Sequence, residues 1–272
     1  MSFVTSTVIG KDTQFGGEFG NQLFQVAAVL GYAEKYGLKA KFEYWYCSFS
    51  KRNYSPLFPK LNYCKFNLPQ KIYNQSNFYY QEIPLFSPID LRGMFQSEKY
   101  FPPRQQLLDF FQTPDFYKHN VNQILNKNKI KSYSALHIRF YDRPERDLIP
   151  VIHTLPDHYY LTALEKISHN DPILIVTNNK AKANLILKKN NISKDIIIIS
   201  STDILTDFFL LVNASRIAIG NSTFAWWAGY LNQNVETVYA PLKDKWFSLA
   251  ARFNKYWSTK DLYPKNFIEI DF

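Results

Sequence analysis

The chain has 272 residues, of which 46% are hydrophobic and 17% aromatic, and it carries a formal net charge of +9. That length supplies ample core for two small domains and lies near the limit of a single one. No continuous apolar run approaches the ~20 residues that span a bilayer. The start, Met1-Ser2-Phe3-Val4-Thr5, has neither the basic region nor the apolar region of a secretory leader, so a cytoplasmic enzyme is the default expectation. The positive balance favours anionic ligands. Its Lys and Tyr residues are dispersed, however, and no RNP-type or helix-turn-helix pattern appears, so no specific nucleic-acid partner is expected.

In chain order, Phe3 to Ile9 reads as an apolar strand. Gly16-Gly17-Glu18-Phe19-Gly20-Asn21-Gln22-Leu23-Phe24-Gln25 follows. A helical pattern then carries Leu23, Ala27, Leu30 and Glu34 and ends near Gly37. Strand, Gly-rich loop and helix make the opening βα unit of a nucleotide-binding type of fold. An ordinary βα turn is the alternative. A further strand is read near residues 40–44, then a Tyr- and Pro-rich irregular section from Cys47 to Pro88. Leu107 to Leu125 reads as one or two helices. The polar, basic run 126–132 reads as a linker, giving domains at 1–125 and 126–272.

The second half alternates cleanly. Strands are expected at Ser134–Arg139, Ile173–Thr177, Ile196–Ile199, near Ile217 and at Thr237–Ala240. Helices are expected at Asp157–Ser168, Lys180–Lys189 and Asp207–Asn213, with another from Phe224. Continuous β-branched runs between helices indicate parallel strands covered on both faces. The two cysteines, Cys47 and Cys64, are expected as free thiols. The five histidines show no metal-ligand spacing, and no Asp-x-Asp occurs. No metal site is therefore expected.

Two more segments carry chemistry. In Ala135-Leu136-His137-Ile138-Arg139-Phe140-Tyr141-Asp142, His137 and Arg139 share one face at the end of a strand. An Arg fork there matches a phosphate; a structural pair with Asp142 or Asp147 is the alternative. In Gly220-Asn221-Ser222-Thr223-Phe224-Ala225-Trp226-Trp227, a buried strand ends in a turn that opens a helix. The free N–H groups at such a helix start, with two hydroxyls, suit a phosphate; a plain N-cap and core helix is the alternative.

Taken in order, these segments resemble the motifs of the α1,2-fucosyltransferase family, with wider similarity to α1,6- and protein O-fucosyltransferases. Gly17 to Gln25 resembles its GNQLFQ motif, His137 to Asp142 its HxRRxD signature, and Asn221 to Trp227 its NSSFSWW-type segment. Gly93 to Phe101 resembles GYFQSEKYF, and Asp157-His158-Tyr159-Tyr160 the start of the following helix. Two departures stand out: Phe140 and Glu18 occupy positions where the family usually has Arg. A lost cation is worth on the order of 1.5–3 kcal/mol at a diphosphate, and Arg143 and Arg146 are candidate replacements.

The resemblance implies an α/β, GT-B-like fold of two Rossmann-like domains with parallel sheets and the site between them. It implies inverting transfer of L-fucose from GDP-β-L-fucose, the donor substrate, to a hydroxyl of a glycan acceptor. No other cofactor is implied. Arg139 would stabilise the leaving phosphate. Ser222, Thr223 and Asn221 would hold the other phosphate oxygens, and His137 would face the guanosine. Asp207 would accept from the guanine edge; it also reads as an ordinary acidic residue at a helix N-terminus. Asn21 would approach the diphosphate or fucose, with Gly17 and Gly20 letting its loop come close. The base is sought among Asp142, Glu145 and Asp147, with Asp147 at the family-like spacing; a solvated charge cluster is the alternative for all three. A catalytically impaired relative, or a transferase using another nucleotide sugar, are the competing functions.

Overall fold

The structure is a computed structural model that describes residues 2–11, 13, 15–141, 151–192, 195–201 and 203–272. By its contacts the chain forms two compact units. The first is Met1–Pro114 with Lys255–Pro264, and the second is Asp115–Asn254 with Lys265–Phe272. The 125/126 division read from the sequence falls inside a helix of the second unit.

The first unit contains β1 (Phe3–Thr5), α1 (Phe19–Tyr36), β2 (Lys39–Ala40), a small antiparallel pair β3 (Tyr46–Cys47) and β4 (Arg52–Asn53), β5 (Lys71–Asn74), β6 (Ile89–Arg92) and α2 (Arg104–Phe110). Its main sheet has the order β2-β1-β6-β5, and every pair is parallel. The expected first strand stops early, at Thr5, because the chain turns over residues 7–10 and Gly10 takes a φ of +74°. Thr7 fixes that turn to the neighbouring strand. Its N–H and hydroxyl both donate to the buried Asp90 carboxylate, at 2.8 and 2.6 Å. Arg92 Nε donates to the same group at 2.8 Å. Helix α1 is apolar around nearly its whole circumference as far as Ala33, and it is buried accordingly. It ends where Gly37 adopts a left-handed φ of +63° and Leu38 N–H donates back to Ala33 O at 2.9 Å.

The second unit contains α3 (Asp115–Lys127), β7 (Ser134–Ile138), α4 (Asp157–Ile167), β8 (Ile173–Thr177), α5 (Lys180–Lys189), β9 (Ile196–Ile199), α6 (Ile204–Val212), β10 (Arg216–Ala218), α7 (Thr223–Leu231), β11 (Val238–Pro241), α8 (Leu249–Arg252) and β12 (Phe267–Ile270). All its strand pairs are parallel, in the order β12-β11-β10-β7-β8-β9. From β7 the chain winds outward through β8 and β9. It then returns to the other side of β7 and winds outward again through β10, β11 and β12. Leu136, Ile138, Ile173 and Ile175 form a core with Tyr159, Tyr160, Leu164 and Ile167 of α4 and with Ala183 and Ile186 of α5. Right-handed crossovers put α6 and α7 on the opposite face. There Phe208 and Phe224 pack edge to face at 5.1 Å, and His137 of β7 lies 5.9 Å from Phe224.

The α/β class with parallel sheets is thus the architecture that the alternating pattern implies. Cys47 and Cys64 are both free thiols. Among the described residues no helix is long and apolar enough to cross a membrane.

Candidate functional site

The reversal of winding between β7 and β10 is a topological switch point. In open α/β sheets the crevice outside the carboxyl ends of the strands at that point is the place where ligands bind. Here the two strand ends carry His137 to Arg139 on one side and Gly220 to Thr223 on the other. Pairing of Leu136 with Ala218 aligns them.

His137 is buried, and its Nδ1 has no hydrogen-bond partner among the described residues. Burial, helped by the adjacent Arg139 charge, pushes its pKa down to about 3. The ring is therefore neutral at physiological pH, with one donor and one acceptor nitrogen. Gly220 packs against it closely: a Cβ there would lie 3.2 Å from His137 O and 3.4 Å from Nδ1. Arg139 is half-buried and makes no ion pair among the described residues. Its guanidinium sits 5.7 Å from the centre of the Tyr141 ring.

Phe140 lies on the other side. It is buried in the core cluster with Leu136 and Ile138, under α4. Its backbone is clamped twice by Asn178, which accepts from Phe140 N–H and donates to Phe140 O, both at 2.9 Å.

Across the switch point, Ser222 is the N-cap of α7, with extended φ and ψ of −136° and 128°, yet its hydroxyl makes no capping bond. The first helical N–H with an intrahelical partner is that of Trp226, which donates to Ser222 O at 2.9 Å. The N–H groups of Thr223, Phe224 and Ala225, with the half-buried Ser222 and Thr223 hydroxyls, form the unpaired start of a nine-residue helix. Asn221 has a different task. It is buried, and its amide donates to His153 O at 2.8 Å and to Trp246 O at 3.1 Å. The side chain thereby ties two loops to the turn. Two tyrosine hydroxyls hold the same turn: Tyr159, from α4, donates to Ile219 O, and Tyr141 donates to Asn221 O at 2.9 Å.

Asp207 lies in the first turns of α6, but it does not cap the helix. Asp203 does so, accepting from Leu205 N–H at 3.4 Å and from the Thr206 hydroxyl at 2.9 Å. The Asp207 carboxylate is buried, and Ser201 is its only hydrogen-bond donor among the described residues, with the Ser201 N–H at 3.2 and 3.3 Å from its two oxygens. Burial raises its pKa, against the opposing bonds from Ser201. A carboxylate has about four lone-pair sites, so this one retains capacity for further donors.

In the first unit β1 and β6 are neighbours at the centre of the sheet. Asn21 stands half-buried in the first turn of α1, beyond the end of β1, and its Oδ1 accepts from Gln96 Nε2 at 3.2 Å. Gly17 is required by close approach, since a Cβ there would fall 2.0 Å from Asn21 Nδ2. Gly20 is buried in the helix start. The glutamines of the same motif hold the scaffold. Gln22 donates to Gly17 O at 2.6 Å and accepts from Trp45 Nε1 at 2.5 Å. Gln25 donates to Phe15 O at 2.8 Å and to Gly93 O at 3.1 Å. Glu18 is exposed and gives α1 no side-chain cap.

The structure therefore brings His137, Arg139, Ser222 and Thr223 to the switch point of the second unit, and Asn21, Gly17 and Gly20 to the turn that opens α1 in the first. Asp142, Arg143, Glu145, Arg146 and Asp147 lie outside the described residues. Sequence reasoning missed Tyr141 and Asn178, which hold the backbone beside the candidate residues, and Ser201 and Gln96, which bond to the side chains of Asp207 and Asn21. Tyr141 lies inside the segment that resembles HxRRxD and Gln96 inside the one that resembles GYFQSEKYF; nothing in the sequence marks Asn178 or Ser201 as partners.

The sequence pattern of Glycosyl transferase family 11 matches residues 11–268. No curated protein matches the sequence. Among solved structures, the fucosyltransferase NodZ from Bradyrhizobium is similar at 14% identity and a TM-score of 0.55, covering 87% of this chain and 94% of that one. NodZ α1,6-fucosyltransferase soaked with GDP-fucose gives 14% identity and a TM-score of 0.56, covering 90% of this chain and 96% of the other. These likenesses establish the GT-B-like fold. The family match spans nearly the whole sequence, and so the chain belongs to glycosyl transferase family 11.

Proposed function

We propose that this protein is an inverting, metal-independent glycosyltransferase that moves L-fucose from GDP-β-L-fucose to a sugar hydroxyl, forming an α1,2 linkage. The observation that carries this reading is Arg139. It is a cation without an ion-pair partner among the described residues, just beyond the carboxyl end of β7, and β7 is paired with β10, the strand that leads into the unpaired start of α7 at a switch point. The fold relatives support the choice of donor: one was co-crystallized with GDP and another was soaked with GDP-fucose. Both are α1,6-fucosyltransferases, whereas the α1,2 linkage rests on the resemblance of the motifs.

In this reading, the bond between fucose C1 and the diphosphate oxygen breaks with its electron pair passing to the β-phosphate. Arg139, the Ser222 and Thr223 hydroxyls and the N–H groups of α7 stabilise that charge, aimed where it develops. The acceptor oxygen attacks C1 from the opposite face and yields its proton to a carboxylate, Asp147 or Asp142. His137 faces the guanosine, and Asp207 accepts from the guanine N1–H and 2-amino group. Asn221 acts by shaping the turn. Asn21, brought close by Gly17 and Gly20, contacts the diphosphate or the sugar.

The test is calorimetric titration of GDP-fucose against wild type and Arg139→Ala, with GDP-mannose, UDP-galactose and GTP as comparators. Selective GDP-fucose binding, weakened about 10- to 100-fold in the variant, is the expected result, from about 1.5–3 kcal/mol per charge-assisted bond. Absence of guanine-nucleotide binding in wild type would remove the donor assignment.

A further inference from the structure

We infer that Tyr141 is a positioning residue that locks the two halves of the donor crevice together; this rests on the donor reading above. The side chain is half-buried and does two things at once. Its hydroxyl donates to Asn221 O at 2.9 Å, gripping the turn that starts α7. Its ring lies 5.7 Å from the Arg139 guanidinium, within cation–π range. Its own backbone is pinned, since Tyr141 N–H donates to Thr154 Oγ1 at 2.9 Å.

The consequence is geometric. Arg139 hangs from β7, and Ser222 and Thr223 follow β10. The turn between β10 and α7 is gripped from the α4 side by Tyr159 through Ile219 O. Tyr141 grips it one peptide pair further on, at Asn221, from the segment after β7 that also carries Arg139. A diphosphate bound here needs the guanidinium and the helix start at a fixed separation. A tyrosine that touches both sets that separation before the ligand arrives, which lowers the ordering cost of binding. The hydroxyl and the ring thus have separable effects: one holds the turn, and the other holds the cation.

The experiment uses the full chain with Tyr141→Phe and Tyr141→Leu, each alone and with Arg139→Ala, and GDP as the titrant. Losing the hydroxyl alone is expected to weaken GDP binding about 5-fold, the range of one neutral hydrogen bond. Losing the ring as well is expected to bring the loss to 10-fold or more. In the Arg139→Ala background the Phe and Leu variants should bind GDP equally, because the ring then has no cation to hold. A second readout needs no nucleotide: the Arg139 Nε–H NMR signal, identified by its loss in Arg139→Ala, should carry a ring-current shift that Tyr141→Phe keeps and Tyr141→Leu abolishes. Wild-type-like GDP binding by both Tyr141 variants, with Arg139→Ala impaired, would overturn the positioning role and leave the donor reading intact. A Phe–Leu difference that persists without Arg139, or no ring-current shift in wild type, would also overturn it. If wild type binds no guanine nucleotide, the donor reading fails and this inference fails with it.

Discussion

Replacing Asp207 by Asn separates a base-recognising carboxylate from a structural one. The carboxylate is buried, receives hydrogen bonds only from Ser201 among the described residues, and has a pKa raised mainly by burial. In the free protein it is an under-satisfied charge. Because its folded pKa lies above its unfolded value, ionisation costs stability at neutral pH, and that cost disappears as the pH falls through the folded pKa. Asp207→Asn removes the cost and keeps an acceptor for Ser201 N–H, so Tm at pH 7 should stay level or rise. Donor binding should move the other way. A guanine edge offers a carboxylate two N–H donors, each worth about 1.5–3 kcal/mol when the partner is charged. The Asn amide presents one acceptor and one opposing donor. A net loss of about 3 kcal/mol, on the order of 100-fold in Kd, follows. Calorimetry with GDP and IDP reads the two bonds separately. IDP lacks the 2-amino group and should bind wild type about tenfold more weakly than GDP, a difference that Asp207→Asn should erase. GDP affinity of wild type should also fall as the pH is lowered through the raised pKa, since the protonated acid accepts one bond fewer. An Asp207→Asn variant that loses several degrees in Tm and binds GDP like wild type would refute the reasoning and make Asp207 a structural residue.

Two further outcomes follow from the same geometry. His137 is held neutral, its pKa pushed down to about 3 from 6.5; between those values the unfolded chain binds the proton and the folded one does not. Stability should fall as pH drops below 6.5, by up to about 1.4 kcal/mol per pH unit, and urea denaturation of His137→Gln should show a shallower slope. Gly17→Ala places a Cβ where Asn21 Nδ2 now lies, at 2.0 Å. The added Cβ would also lie 2.9 Å from Asn21 Cβ, which cannot move aside without shifting the start of α1, so Tm should fall; GDP-fucose hydrolysis should fall at least as far as it does in Asn21→Ala, and unchanged hydrolysis would separate Asn21 from the reaction.

Much of the second unit was legible in the sequence. Continuous runs such as Ile173–Thr177 and Ile196–Ile199 can only be buried parallel strands when helical periods separate them, and the observed bounds agree. Less was legible where burial depends on a distant polar partner. β6 was missed because Asp90 breaks its apolar pattern, and that carboxylate is tolerated only because Thr7 and Arg92 supply three donors. β12 was missed for a similar reason: Glu269 interrupts it and is held by Lys243 N–H at 2.6 Å and Nζ at 3.0 Å. Helix α6 begins at Ile204, three residues before the expected start, because Asp203 rather than Asp207 caps it. In the candidate site, strand alternation and the helix start placed Arg139, His137, Ser222 and Thr223. The task of Asn221 was not readable, since its two acceptors, His153 O and Trp246 O, lie 68 and 25 residues away.

The Phe140 departure from the HxRRxD pattern has a physical account. Residues 136, 138 and 140 share one side of the chain, and all three belong to the core beneath α4. His137 and Arg139 belong to neither that cluster nor that side. An aromatic ring at 140 therefore adds apolar burial to the packing of Tyr159 and Tyr160. It leaves the face that carries Arg139 unchanged. Lys182, an exposed residue of α5, has its Nζ 5.8 Å from the centre of that ring. So the substitution removes one positive charge without removing any group from the switch point where the diphosphate is proposed to sit. If the first arginine of the signature does the work of charge stabilisation, Phe140→Arg should leave GDP affinity close to wild type and lower stability, because a guanidinium would enter the space of a ring that is 7% exposed. A large gain in GDP affinity from that change would instead mean that the second position reaches the ligand, and that the crevice at the end of β7 is wider than Arg139 alone defines.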